Sequence, residues 1–360
     1  MRRWTTIALA LLSALVVQSQ ETFLSWDFSL NAGYMMPNNS AYRDNASSTF
    51  GLDATCWWRG LDSSYWRVLQ GYPSFGIKVS YAHIPRSLAG DRIGLTGHLR
   101  QPLFGSRYWE WSAGLGVSAY TKPRSITGDT SNIFIGSLIN CLIDLGITYR
   151  PVDNLFLSAR VLHTSNGMLM WPNMGLNYFQ VDVGYTFGNY NADWKSALQR
   201  RRERYPEMAD TCRMPKSEFG IAFSPGTVMA RDLDFEGYYF CYDVSLYYQK
   251  YTSSTFALGA AVDFWYNFCD TRHLNREDGV YNIPLYLSAM FVFEHFWGPV
   301  SLKAGIGPNI VVSPQVTIPF YERVGAYYNF GRNCLGVAVN AHGGRVEFIE
   351  WTYGRRFPVW

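Results

Sequence analysis

Two residues of this chain are spaced for nucleophilic chemistry: His163 and Ser165, within Val161-Leu162-His163-Thr164-Ser165-Asn166-Gly167. In an extended strand positions i and i+2 share a face, so this spacing sets an imidazole beside a hydroxyl, as a general base and its nucleophile must be. His-x-Ser recurs by chance in many strands, and the pair alone identifies nothing. Its surroundings say more. The same face carries Leu155, Leu157, Ala159 and Val161, whereas the opposite face carries Ser158, Arg160 and Thr164. In a membrane barrel the apolar face looks at lipid, where polar groups are costly and are functional candidates by default.

Other chemistry is thin. The chain has no His-Glu-x-x-His, no Gly-x-Ser-x-Gly and no phosphate-binding loop ending in Gly-Lys-Ser/Thr. Gly305-Ile306-Gly307 is followed by Pro308 inside a strand pattern, where glycine marks a bend rather than a nucleotide site. None of the six histidines has a second His or Cys at ligand spacing, so neither a metal nor another cofactor is expected. Cys56, Cys141, Cys212, Cys241, Cys269 and Cys334 are scattered without a Cys-x-x-Cys pair. Cys141 and Cys334 fall inside predicted strands and read as small apolar side chains, a disulfide being the alternative. With 31 Lys+Arg against 28 Asp+Glu, the net charge of +3 argues against nucleic acid as the main partner.

The elements that carry the pair are strands. Only 16% of the 360 residues are charged and 17% are aromatic, so something other than water faces much of the surface. After the first twenty residues no apolar run reaches the roughly 18 residues of a membrane helix, which excludes a helical bundle. A hydrophobic content of 48% excludes disorder. From residue 21 onward short alternating segments are separated by Gly, Pro, Asn and Ser, which predicts an all-β chain of antiparallel hairpins. The predicted strands of the first half are 22–34, 50–59, 73–84, 91–102, 107–120, 133–150, 154–165 and 177–187; those of the second are 217–225, 236–250, 254–268, 281–297, 300–312, 319–330, 334–342 and 345–357. Lipid gives an open sheet edge no partners, so a membrane-crossing sheet must close. Two eight-stranded transmembrane β-barrels in tandem are expected, one sixteen-stranded barrel being the alternative. The intervening segment 189–216, with Arg200-Arg201-Arg202-Glu203-Arg204, is generous for a simple turn and reads as a polar periplasmic linker with a short helix. Segments 35–49, 121–132 and 166–176 become outer loops, and 103–106 and 151–153 inner turns; 60–72 is long for an inner turn and 85–90 short for an outer loop.

The amino terminus is a separate device: Arg2 and Arg3 precede the apolar run Ile7 to Val17, with Val17-Gln18-Ser19 at the cleavage positions of a secretory signal, residues 1–19. The carboxyl-terminal strand ends in Phe357 and Trp360, similar to the aromatic assembly signal of outer-membrane barrels.

His163-Thr164-Ser165-Asn166-Gly167, the spacer of five residues, and Pro172-Asn173-Met174-Gly175-Leu176-Asn177 together resemble the signature of the outer-membrane lipid A 3-O-deacylase family (PagL-like acyloxyacyl hydrolases). Asn132-Ile133-Phe134-Ile135-Gly136-Ser137 and Tyr149-Arg150-Pro151 are similar to that family as well. The resemblance covers about residues 22–188 and stops short of the second half. It implies an eight-stranded barrel, residues 20–188, that hydrolyses the acyl ester at position 3 of lipid A with a serine-dependent triad on its lipid-facing wall. The expected place is the outer membrane, with the site facing the outer leaflet and lipopolysaccharide as substrate. By position the resemblance makes Ser165 the nucleophile, His163 its base and Asn173 an oxyanion-hole donor. The family has Glu at the third triad position and this chain has Asn177, on the outward face with Phe179, Val181 and Val183, placed to meet His163 across the hairpin. A side-chain amide orients an imidazole but adds no charge to stabilise the imidazolium. Ser137, on the face of Ile135 and Ile139, is a further polar participant to consider. The second barrel, 217–360, has no assigned role: Asn340-Ala341-His342-Gly343-Gly344 lacks a serine, and alternation turns His342 inward. The competing expectation is a non-catalytic structural or transport barrel.

Overall fold

The computed structural model describes residues 22–37, 45–60, 65–103, 106, 108–152, 154–167, 169–188, 199, 203, 215–229, 237–268, 284–311, 320–342 and 345–360. Alternation of apolar and polar residues gives each strand one greasy and one wet face, and hydrogen bonding then has to leave no edge in lipid. The first half meets both demands with β1 (Thr22–Pro37), β2 (Ser47–Gly60), β3 (Ser74–His83), β4 (Arg92–Pro102), β5 (Trp109–Tyr120), β6 (Ile139–Tyr149), β7 (Leu155–Ser165) and β8 (Leu176–Phe187), closed into a barrel. The second half repeats the solution with β9 (Ser217–Met229), β10 (Tyr238–Ser253), β11 (Phe256–Asn267), β12 (Leu285–Trp297), β13 (Val300–Val311), β14 (Phe320–Phe330), β15 (Asn333–His342) and β16 (Arg345–Val359). Closure is local to each half. β1 pairs with β8 from Trp26↔Phe187 to Pro37↔Leu176, and β16 pairs with β9 from Ile349↔Thr227 to Val359↔Ser217. These registers exclude the sixteen-stranded alternative.

Outward positions are apolar and bare, as at Leu30 (73% exposed) and Val183 (60%), while inward neighbours such as Asp53 and Asp182 are buried. Inside the first barrel Arg160 pairs with Asp53, Asp144 and Asp182, and Arg150 bridges Asp27 at 3.1 Å and Glu110 at 2.8 Å. Inside the second, Arg323 pairs with Asp243, Asp263 and Glu350, and Arg356 with Glu218 and Glu294. Small barrels are filled by their own side chains, and these are filled by charges that neutralise one another. Towards the loop-bearing end of the first barrel the filling turns apolar: Met35, Ile84, Tyr120, Phe134, Ile135, Leu142, Leu162, Leu176 and Tyr178 form a plug.

Three expectations need adjustment. The long inner connection 61–73 contains a helix, Tyr65–Leu69, which accounts for its length. Strand β6 begins at Ile139 rather than near 133, because Phe134 and Ile135, adjacent in sequence, are both buried. Neither joins the ladder: both pack into the apolar plug, so this segment folds over the mouth instead of extending the wall. Ser137 therefore does not share an outward face with Ile135; its hydroxyl bonds the Ile139 carbonyl at 2.9 Å and Asn140 Oδ1 at 3.0 Å, closing a local turn. Cys56, Cys141 and Cys334 are free thiols, and the buried Cys241 thiol donates to Asn267 Oδ1 at 3.5 Å. The expected signal segment, nearly all of the expected linker, Cys212 and Cys269 lie outside the described residues.

Candidate active site on the outer wall of the first barrel

Register brings the three expected triad positions together. His163 on β7 is the Cα partner of Asn177 on β8 and of Ile143 on β6, while Ser165 is the partner of Cys141. Partners share a face, so Cys141, Ile143, His163, Ser165 and Asn177 form one outward patch at the loop-bearing end. The burial of β7 alternates as its sequence does: Val161 is 55% exposed, Leu162 buried, His163 half-buried, Thr164 buried. Ser165 breaks the rhythm, pointing outward yet only 8% exposed.

His163 Nδ1 lies 2.7 Å from Asn177 Oδ1. A side-chain carbonyl only accepts, so Nδ1 carries the proton of this bond and Nε2 is left bare to accept one. That is the tautomer a base beside Ser165 needs. Among the described residues no hydrogen bond joins the Ser165 hydroxyl to the imidazole; such contacts commonly tighten only when substrate is bound.

The loop from 166 to 175 is organised by Asn166. Its amide N–H donates to Asn173 Oδ1 at 2.8 Å, its side-chain NH2 donates to the Met170 carbonyl at 2.7 Å, and its carbonyl accepts the Leu169 N–H at 3.2 Å. Anchoring Asn173 through its oxygen leaves its NH2 group as the donor end, the polarity an oxyanion site requires. Gly167 follows with φ +61°, a left-handed turn that lets the chain leave β7 sharply after Ser165. This reading of Asn166 is absent from the sequence analysis, although the residue stands inside the quoted block; its contacts lie within a loop, where periodicity carries no information.

A second loop props up the first. Asn132 is fully buried: its side-chain NH2 donates to the Lys122 carbonyl at 3.0 Å, and its Oδ1 accepts the Phe134 and Ile135 N–H groups at 3.2 Å each. The segment thus fixed takes the Met174 and Gly175 N–H groups on the carbonyls of Ile133 (3.4 Å) and Phe134 (3.2 Å). At Gly136 a Cβ would stand 2.7 Å from the Pro172 carbonyl oxygen, so glycine is what lets the two loops touch beside Asn173. Two of the stretches that carry the resemblance, Asn132–Ser137 and Pro172–Asn177, are therefore one structural unit.

A sequence family described as lipid A 3-O-deacylase (PagL) matches residues 46–186, taking in β2 to β8 and every expected site residue. Through its first barrel this chain belongs to that family. The match to an acyloxyacyl hydrolase C-terminal domain over residues 217–359 extends the kinship to the whole second barrel, beyond the reach of the sequence resemblance. Among solved structures, the outer membrane enzyme PagL is 19% identical, aligned over 45% of this chain and 99% of its own, with a TM-score of 0.33. Neisserial surface protein A is 8% identical over 46% of this chain and 97% of its own, with a TM-score of 0.29. Overlaps this loose carry no weight, and membership of the deacylase family rests on the sequence match. No curated protein matches the chain. Among the described residues of this family member, no group of His, Cys, Asp and Glu is arranged to hold a metal ion.

Proposed function

We propose that the protein is an outer-membrane serine esterase that removes the 3-O-acyl chain of lipid A. Ser165 Oγ attacks the ester carbonyl while His163 Nε2 takes its proton. The tetrahedral oxyanion receives the NH2 of Asn173, and His163 returns the proton to the departing sugar oxygen. Water, activated by the same imidazole, then releases the fatty acid from Ser165. Asn177 holds the imidazole by Nδ1 throughout. The observation that carries this reading is the His163–Asn177 bond of 2.7 Å on an outward, apolar barrel wall, two residues before Ser165 in the same strand. Neither metal nor cofactor has a part in it.

The expected signal at 1–19 and the aromatic carboxyl end support export to the outer membrane, with residues 189–216 as a periplasmic linker. Both loop-bearing ends then lie at the outer leaflet, where lipid A reaches the site by lateral diffusion. A transport role is less well supported, since the ion-paired side chains fill both barrel interiors. Purified protein in detergent tests the mechanism: lipid A loses one acyl chain with wild type, and Ser165→Ala or His163→Ala lowers the rate at least about a thousandfold. Retention of a tenth of the activity by either variant contradicts a serine–histidine mechanism.

A further inference from the structure

The two barrels meet at two levels. At the turn-bearing end Gln70 donates to the Phe296 carbonyl, Trp297 Nε1 donates to Gln101 Oε1 at 3.2 Å, and the rings of Trp111 and Trp297 lie 6.1 Å apart. At the loop-bearing end Gly167, two residues after Ser165, lies against Ile349 of β16. A Cβ on Gly167 would come within 2.1 Å of Ile349 Cδ1 and 3.7 Å of its Cβ. Ile349 is half-buried, whereas Trp351, the next outward residue of the same strand, is 66% exposed. The second barrel thus reaches the first beside the expected nucleophile.

We infer that Ile349 is a substrate-positioning residue, and that its wall of the second barrel forms one side of an acyl-chain cleft whose other side is the face of Cys141, Ile143 and Val161. The inference rests on Ser165 being the nucleophile. A lone barrel presents an outward serine to a fluid leaflet, in which an acyl chain is held on one side only. Orientation of the ester carbonyl at Ser165 requires the chain to be confined, and confinement is what a second apolar wall supplies. Ile349, with its strand partner Val339, is apolar and faces outward at that level. Long chains span the cleft and sense this wall; short ones do not reach far into it.

Three variants of the full-length protein in mixed micelles test this, with 4-nitrophenyl myristate and 4-nitrophenyl butyrate as probes. At about fourfold per methylene for full contact, removing part of the wall in Ile349→Ala lowers the myristate-to-butyrate ratio of kcat/KM by about tenfold. Trp351→Ala, outside the contact, leaves the ratio as in wild type. Ser165-dependent hydrolysis with an unchanged ratio in Ile349→Ala overturns the inference alone. Equal hydrolysis by wild type and Ser165→Ala overturns the serine reading, and this inference falls with it.

Discussion

Asn177 is the residue at which this chain departs from the signature it resembles. Its carbonyl oxygen reaches His163 Nδ1 at 2.7 Å, so orientation of the imidazole is provided for. Charge is not. In the serine-protease triad, replacing the buried carboxylate by its amide lowers turnover about 10⁴-fold, partly by enforcing the wrong tautomer. Here the amide already presents its oxygen, so the tautomer is right and only the charge contribution is missing. Asn177→Glu is therefore expected to raise kcat by about tenfold, or about 1.4 kcal/mol of barrier. Steady-state deacylation of lipid A by the purified variant measures this. An unchanged or lower kcat, with wild type active, means that a carboxylate at 177 does not serve His163 and that its role here is geometric.

At the scale of elements, the site is a hairpin end braced by two loops. Gly136→Ala would drive a methyl group into the Pro172 carbonyl and displace Asn173, while leaving β7, β8 and their register alone. The expected result is a fall in kcat of about tenfold with unaltered heat-modifiable migration on gels. A normal kcat would detach the loop contact from catalysis. The hairpin itself is legible in the sequence because a two-residue period assigns His163, Ser165 and Asn177 to one face whatever the exact register. The loops are not. Ile133-Phe134-Ile135 is apolar, β-branched and aromatic like strand, yet its side chains plug the barrel mouth, a destination set by the loops it meets. The amide of Asn173, likewise, is turned by the Asn166 N–H, which no pattern of hydropathy records.

For the whole molecule, the two closures are readable in advance as strand count and linker length, whereas the ion pairs that fill the interiors join residues far apart in the chain and emerge only once the barrels close. The contact of Ile349 with Gly167 is not readable either, because it joins barrels whose sequences carry no mutual period. The interior networks hold each closure together: Arg160 ties β7 to β2, β6 and β8 through Asp53, Asp144 and Asp182. Arg160→Ala strands three buried carboxylates around a lost cation, and a destabilisation of about 3–5 kcal/mol is expected, read as a lower urea midpoint in vesicles. An unchanged midpoint would mean that the remaining cations, Lys78 foremost at 3.0 Å from Asp144, suffice. The central claim, that Ser165 on the lipid-facing wall removes an acyl chain from lipid A, is tested most directly in cells. Lipid A is extracted from outer membranes containing wild type, Ser165→Ala or no copy of the protein, and its mass spectrum is recorded. Loss of one ester-linked acyl chain with wild type only is the predicted result; identical spectra from all three, with both proteins folded in the membrane, would contradict it.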